Sequence, residues 1–123
     1  MSKIRVATLG LATVVVLAWA VPAFAHHGKA AATTVTVTAG KPGPFAFTLS
    51  TKTVPHGTVT FKVKNGGAGL SHDFSINGKK TPTLAPGKSA TLTVTFSKGG
   101  NFAYVCTVPG HAAAGMKGVL KVT

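Results

Sequence analysis

The feature that most constrains this chain is the alternation of apolar and polar residues within short runs. Residues 34–38 read Thr-Val-Thr-Val-Thr, residues 58–64 read Thr-Val-Thr-Phe-Lys-Val-Lys, and residues 91–96 read Thr-Leu-Thr-Val-Thr-Phe. A period of two places successive side chains on opposite faces of a β-strand, whereas an amphipathic helix needs a period of 3.6. The pattern therefore predicts strands with one buried face and excludes a helical bundle.

Three further sets of residues continue this alternation: Phe45, Phe47 and Leu49; Phe102, Tyr104 and Cys106; Leu120 and Val122. Clusters of Gly, Pro and Asn separate the runs, at 41–44, 55–57, 65–67, 77–78, 85–88 and 99–101. Six to eight short strands at this spacing predict an all-β fold, a single Greek-key β-sandwich or small barrel. We assign this domain to residues 34–123 and a flexible N-terminal arm to residues 26–33.

The first 25 residues have the three-part pattern of a secretory signal peptide. Lys3 and Arg5 supply positive charge, residues 6–21 are uncharged and apolar, and Ala23-Phe24-Ala25 ends in the small residues that a signal peptidase accepts. We expect cleavage after Ala25 and export to the periplasm or the extracellular space. The alternative is an uncleaved membrane anchor, because residues 6–25 contain no charge.

The charge balance is strongly positive. The chain has 13 Lys and Arg against one acid, Asp73, and beyond residue 25 the basic residues are all lysines. Such a field favours anionic partners: an acidic protein, an anionic membrane or a cell-wall surface. Nucleic acid is a weaker candidate, because Arg, the residue that reads guanine edges, is absent beyond residue 25 and the lysines form no basic run. The competing interpretation is that lysines on strand edges keep a small β protein soluble.

One sequence segment concentrates residues with metal chemistry. Cys106, the only cysteine, cannot form an internal disulfide, and it begins the pattern Cys106-x4-His111-x4-Met116. Thiolate and thioether sulfur with imidazole select copper, and a His₂Cys site with a weak axial Met is the blue-copper pattern. The second imidazole must come from elsewhere, and His72, after a glycine-rich loop, fits. Taken singly, each residue could instead be ordinary: a buried thiol, a loop histidine and a core methionine.

In these residues the sequence resembles the cupredoxins, the blue-copper electron carriers of the plastocyanin, azurin and rusticyanin type. The resemblance extends over about residues 35–122 and includes the approach to the cysteine, Gly-x-Phe-x-Tyr-x-Cys at 100–106. It implies one type 1 copper ion, cycling between Cu(I) and Cu(II), with three equatorial ligands and one axial ligand: His72, Cys106 and His111, then Met116. Asp73 departs from the family, since plastocyanin and azurin have asparagine there. We interpret Asp73 either as a brace between the two ligand-bearing loops or as a surface carboxylate.

The resemblance also implies a function. It places His111 near the surface, as the electron port, in an apolar patch with Pro109, the alanines at 112–114, Leu70 and Ala68. Four protein ligands leave a metal no open position for substrate, so we expect an electron carrier and not an enzyme. Acidic redox proteins are the expected partners, and the chain is expected to be a monomer.

Two alternative functions remain open at this point. The first is a copper-binding or delivery protein of the cell envelope, with no dedicated redox role. The second is a hydrolase with Cys106 as nucleophile, which needs an oriented His and a third polar group and leaves Met116 unexplained. His56 is expected to be a turn residue. His26 and His27 would form the mature N-terminus, either as a solvated tail or as a Cu(II) chelate.

Overall fold

In the computed structural model, the residues that the structure describes are Gly10, 32–67 and 69–123. The predicted signal peptide apart from Gly10, most of the arm, His26, His27 and Ala68 lie outside this part of the chain. Across the described residues, no helix is long and apolar enough to span a membrane.

The described residues form nine β-strands. In chain order these are β1 (Thr33–Ala39), β2 (Phe47–Leu49), β3 (Thr53–Val54), β4 (Gly57–Asn65), β5 (Ser75–Ile76), β6 (Lys79–Lys80), β7 (Ser89–Phe96), β8 (Gly100–Val105) and β9 (Lys117–Val122). The predicted alternation is confirmed in the long strands, and the additional strands β3, β5 and β6 have only two residues each. Two residues are too few to show a period, so the sequence pattern could not reveal them.

The strands pair into two sheets that pack face to face. One sheet has the order β2-β1-β4-β7 and the other has the order β3-β9-β8-β5-β6. β1 and β4 are parallel in full register, whereas β4 and β7 are antiparallel. This arrangement confirms the predicted all-β sandwich.

The core lies between the sheets and is built from the inward residues of the alternating runs. Val35 and Val37 of β1, Phe61 of β4 and Leu120 of β9 are fully buried. Phe74, which follows Asp73, packs edge-on against Phe47 and tilted against Phe61. Burying each such side chain contributes about 1.5–3 kcal/mol, so this core stabilises the frame on which the loops rest.

One part of the predicted second strand does not form. β2 begins at Phe47, and Phe45 lies in the preceding loop with 37% of its surface exposed. The amide of Gly40 donates to the carbonyl of Ala46, which closes the loop, and the amide of Ala46 donates back to the carbonyl of Gly43, so the residues between them form a turn. The prediction for Phe45 was therefore wrong, because the turn at 41–44 continues further than its Pro and Gly residues indicate.

The two sheets place their loops at a common end. Ala39 at the end of β1 packs in one buried cluster with Cys106 and Met116, which flank the loop from β8 to β9. β4 ends beside β1, with Asn65 opposite Ala39. At the other end of the sandwich, His56 lies in the turn before β4 and contacts the carbonyl of Thr123 through Nδ1, as a turn residue.

Candidate metal centre

Three of the four predicted metal ligands meet at this common end. One donor atom from each of His72, Cys106 and His111 lies within 4.8 Å of the others. The two Nδ1 atoms of the histidines are 3.1 Å apart, and Sγ of Cys106 is 3.6 Å from Nδ1 of His111. Donors bound to one ion at about 2.0 Å for nitrogen and about 2.3 Å for sulfur lie roughly 3.1–3.8 Å from each other. The donor set and spacing therefore fit a single metal ion.

Met116, the fourth predicted ligand, is fully buried beside Cys106. Two backbone hydrogen bonds hold it there: the amide of Cys106 donates to the carbonyl of Met116, and the amide of Met116 donates to the carbonyl of His111, both at 3.0 Å. Phe47 and Val108 pack against the same cluster. The thioether is thus enclosed in an apolar layer next to the thiol.

The loop from Cys106 to Met116 is a series of tight turns. The amide of His111 donates to Val108, and the amides of Ala114 and Gly115 close two further turns. Gly110 and Gly115 have φ angles of 84° and 110°, a region that residues with a Cβ rarely adopt. These local bonds explain how three ligands of one short segment converge.

His72 is positioned differently. It forms an isolated antiparallel bridge with Leu84, in which each amide donates to the other residue's carbonyl. Its ring lies against Gly40, where an added Cβ would stand 3.1 Å from Nε2 of His72 and 2.7 Å from the Cα of Gly67. Nε2 is buried and has no hydrogen-bond partner in the described part of the chain. Packing, and not a hydrogen bond, fixes the outer edge of this ring.

Asn65 braces the loop that leads to His72. Its Nδ2 donates to the carbonyls of Leu70 and Leu84 at 2.7 and 2.9 Å, and its Oδ1 accepts from the amide of Gly67 at 3.1 Å. Asn65 is fully buried, and a polar group left unpaired in the interior is costly. The sequence identified Asn65 only as part of a turn, and its position before Gly-Gly at a strand end was the available signal.

Asp73 joins the two ligand-bearing segments. Its carboxylate accepts hydrogen bonds from the amide of Thr107 at 2.6 Å and from the hydroxyl of Thr107 at 2.5 Å. Its own amide donates to Sγ of Cys106 at 3.5 Å. Asp73 is 2% exposed, with Lys80 Nζ 3.9 Å from Oδ2. The interpretation of Asp73 as a brace is confirmed, and its interpretation as a surface carboxylate is wrong.

The surroundings of His72 and Cys106 shift the pKa values of both side chains. Burial lowers the pKa of His72, the imidazole of His111 lowers it further, and Asp73 opposes the shift. The histidine is therefore neutral over a wider pH range, which is the form that binds a metal. Burial raises the pKa of the Cys106 thiol, while hydrogen bonds from the backbone of Asp73 and Val108 lower it. A metal cation would overcome the burial cost by pairing with the thiolate.

His111 is the ligand of the cluster that reaches solvent, with 9% of its surface exposed against none for His72 and Cys106. Phe45 packs edge-on against its ring at a centroid distance of 5.1 Å. Pro109, Ala113 and Ala114 are exposed in the same loop. The sequence did not associate Phe45 with the site, because its alternation with Phe47 favoured a strand. Ala68, which was expected in this patch, lies outside the described residues, and Leu70 is half-buried.

A buried His₂Cys cluster with an adjacent methionine on a β-sandwich defines a class of protein, the mononuclear copper proteins of the blue type. Residues 27–123 match the family of copper binding proteins described as plastocyanin/azurin, and the chain belongs to that family. The predicted resemblance to the cupredoxins is confirmed.

Two curated proteins share shorter segments with the chain. It is 54% identical over 39 residues to the copper-resistant cuproprotein CopI of Pseudomonas aeruginosa, a match to 32% of this chain and 22% of that protein. It is 46% identical over 43 residues to auracyanin-B of Chloroflexus aurantiacus, a match to 35% of this chain and 18% of that protein. The matched segments thus span about a fifth of each relative.

Solved structures match about three quarters of the chain. Dithionite-reduced auracyanin from Roseiflexus castenholzii superposes with a TM-score of 0.64 and 27% identity, covering 75% of this chain and 98% of that one. Rusticyanin from Thiobacillus ferrooxidans superposes with a TM-score of 0.62 and 29% identity, covering 73% of this chain and 76% of that one. Family, fold and donor set agree that the cofactor is copper in a type 1 site.

Proposed function

We propose that the protein is an exported blue-copper electron carrier. In this proposal His72, Cys106 and His111 are the equatorial copper ligands and Met116 is the axial ligand. The observation that carries it is the enclosure of the donor set: three donor residues are fully buried and the fourth, His111, is 9% exposed. A metal that binds and activates a substrate needs an open coordination position, whereas electron transfer needs none.

Copper supplies a one-electron couple between Cu(I) and Cu(II) when bound. The residues of the chain contribute a rigid cage. The loop bonds between Cys106, His111 and Met116 hold one side, and Asp73 ties that loop to His72 through Thr107. Because packed interiors resist displacement, the donor atoms keep nearly the same positions whatever the charge of the metal. His111, at the solvent edge beside Phe45, is the route by which an electron enters and leaves.

The experiment is cyclic voltammetry of the copper-loaded protein, followed by metal analysis. The proposal predicts a reversible one-electron wave over many cycles with copper retained at one equivalent. A matched Met116→Leu variant reports whether the couple belongs to this site, since the wave should move to higher potential without loss of reversibility. Irreversible reduction with release of copper would contradict an electron carrier.

Copper handling is the second candidate, and one observation favours it: the 39-residue match to a protein named for copper resistance. A delivery protein must release its metal, so Cu(I) should pass from it to a competing chelator within minutes. The electron-carrier proposal predicts slow transfer, because the ligands are buried and held by the bonds described above.

The export proposal rests on the N-terminal sequence, namely Lys3 and Arg5, the apolar residues 6–21 and Ala23-Phe24-Ala25. Mass spectrometry of the protein recovered from the cell envelope or the medium tests it. A mature chain that begins at His26 is expected. A full-length chain in the membrane fraction would favour the uncleaved anchor.

A further inference from the structure

The charges of the folded protein are distributed unequally between surface and interior. The ten lysines of the described residues are all exposed. Asp73, the chain's only acidic side chain, is 2% exposed and bonded to Thr107. Over residues 32–67 and 69–123, side chains therefore contribute only positive formal charge to the surface. Any partner that is drawn to this protein by charge must be anionic at the point of contact.

The topology brings half of these lysines to the end that holds the copper site. We call them the basic rim: Lys41, Lys64, Lys80, Lys88 and Lys117. Lys41 follows the end of β1, Lys64 precedes Asn65 at the end of β4, and Lys80 donates to the hydroxyl of Thr107 at 3.4 Å. The carbonyl of Lys88 accepts from the amide of Asn65, and Lys117 directly follows Met116. Their scattered positions in the sequence concealed this grouping.

Three lysines lie at the opposite end of the sandwich. The amide of Lys121 donates to the carbonyl of Lys52, and Lys98 lies in the turn from β7 to β8. These distal lysines are as exposed as those of the basic rim, so they provide a matched set with the same charge at a different place.

The basic rim lies at the same end of the sandwich as an apolar cap at the solvent edge of His111. The apolar cap consists of Phe45, Pro109 and the alanines at 112–114. A small apolar centre with a charged rim is the usual anatomy of a protein interface, and a contact of this small size suits a transient redox encounter. Because the cap covers the most exposed ligand, a partner seated on it lies as close to the metal as a partner can.

We propose that the basic rim and the apolar cap together form the docking surface for an acidic redox protein, one whose own redox centre is surrounded by Asp and Glu carboxylates. The proposal rests on the electron-carrier function and names the class of partner. A protein fits better than an anionic membrane, because the lysines share one end of the sandwich with a redox site and the exposed cap has only one large apolar side chain, Phe45, to insert into lipid.

Electrostatic steering of this kind acts mainly on the association rate. It raises on-rates by about 10–10³-fold, and salt screens it beyond about 8–10 Å at ordinary ionic strength. We therefore expect electron transfer with an anionic reactant to slow at least about tenfold between low and high salt.

Two copper-loaded variants of equal net charge test the location. The rim variant combines Lys41→Gln, Lys88→Gln and Lys117→Gln, and the distal variant combines Lys52→Gln, Lys98→Gln and Lys121→Gln. The probe is the hexacyanoferrate(III)/(II) couple, run in the direction that the potential allows, so that one electron passes between copper and iron. Stopped-flow rates should fall several-fold in the rim variant and much less in the distal variant. Tris(phenanthroline)cobalt, a cation, should show the opposite change.

A polypeptide competitor separates protein docking from simple attraction of small ions. Poly-L-glutamate should inhibit the hexacyanoferrate reaction of the native protein and the distal variant, and should have little effect on the rim variant. Ala113→Asp should slow the reaction and leave the visible spectrum intact, because it places a carboxylate in the apolar cap.

Two results would overturn the docking proposal. One is an equal loss of rate in the rim and distal variants, which would mean that only net charge matters. The other is binding of the native protein and both variants alike to phosphatidylglycerol vesicles, with no rate difference, which would indicate a membrane surface. Neither result touches the electron-carrier function, whose own test is a reversible voltammetric wave in the absence of any partner.

Discussion

The two halves of the copper site differ in how the chain builds them. Cys106, His111 and Met116 lie within eleven residues of one loop and are joined by backbone bonds inside that loop. His72 stands alone and is held by residues from three separate segments: Gly40, Asn65 with Gly67, and Leu84. We call these the loop half and the braced half. Ligands on one loop can be positioned by local turns, whereas an isolated ligand depends on the tertiary fold.

The two halves should differ in their response to mutation. In the braced half, the position of His72 depends on residues that do not contact the metal, so their substitution should lower the free energy of unfolding. In the loop half, the ligands themselves carry most of the chemistry. Substitutions in the braced half should therefore cost more stability than a ligand swap in the loop half.

Asn65→Ala should have the largest effect on stability. It leaves the carbonyl of Leu70 and the amide of Gly67 without their side-chain partner, and it removes one of the two donors to the carbonyl of Leu84, which keeps the amide of His72. An unsatisfied buried polar group costs about 1–3 kcal/mol, so we expect a loss of about 2–4 kcal/mol in the free energy of unfolding, measured by urea denaturation. Asn101→Ala, at an exposed site in β8, is the control and should change stability by less than about 0.5 kcal/mol. Equal losses of stability in the two variants would show that Asn65 does not brace the loop that leads to His72.

Asp73→Asn should weaken the bond between the two halves. The neutral amide can still accept from the amide of Thr107, but it loses the charge-assisted bonds to that residue. We expect a loss of about 1–2 kcal/mol in stability, and a higher reduction potential because a buried negative charge near the thiolate favours Cu(II). Thermal denaturation and voltammetry measure the two effects. Unchanged values of both would show that the contact to Thr107 contributes nothing.

Met116→Leu tests the loop half with little change in volume. A swap of this kind usually costs less than about 1.5 kcal/mol, so folding should be nearly intact. The potential should rise, because a weak donor to Cu(II) is lost, and the colour should remain. A lower potential, or loss of the visible band, would contradict the role of Met116 as a weak axial ligand.

Acid should act on the braced half of the metal-free protein. The pKa of His72 is lowered by burial and by His111, so the unfolded chain takes up a proton before the folded protein does. The stability that the neutral ring contributes is therefore present above pH 6.5, and it is lost as the pH falls below that value toward the lowered pKa. Urea denaturation of the metal-free protein between pH 8 and 5 measures this. His72→Gln should flatten the acid side of the plot of stability against pH. An unaltered plot would show that His72 is not the group responsible for the loss of stability in acid.

The two halves also differ in how far they could be predicted from the sequence. The loop half was predictable, because its ligands form a pattern of fixed spacing at the end of an alternating strand. His72 was found only by its residue type and its place after a glycine-rich loop. Asn65 and Phe45 were missed, since a buried brace and a ring neighbour of His111 are defined by contacts across the fold. The short strand β5 was missed because two residues cannot display a period.

The most direct test of the copper site is the visible spectrum of the protein and of Cys106→Ser, each with one equivalent of Cu(II). In the proposed site Cu(II) is bound by the Cys106 thiolate, and an intense charge-transfer band requires a bond between copper and that sulfur. The native protein should turn an intense blue or green, and Cys106→Ser should be nearly colourless while still folding as a β-sandwich by circular dichroism. A colourless native protein, or an intense band that persists in Cys106→Ser, would contradict the account.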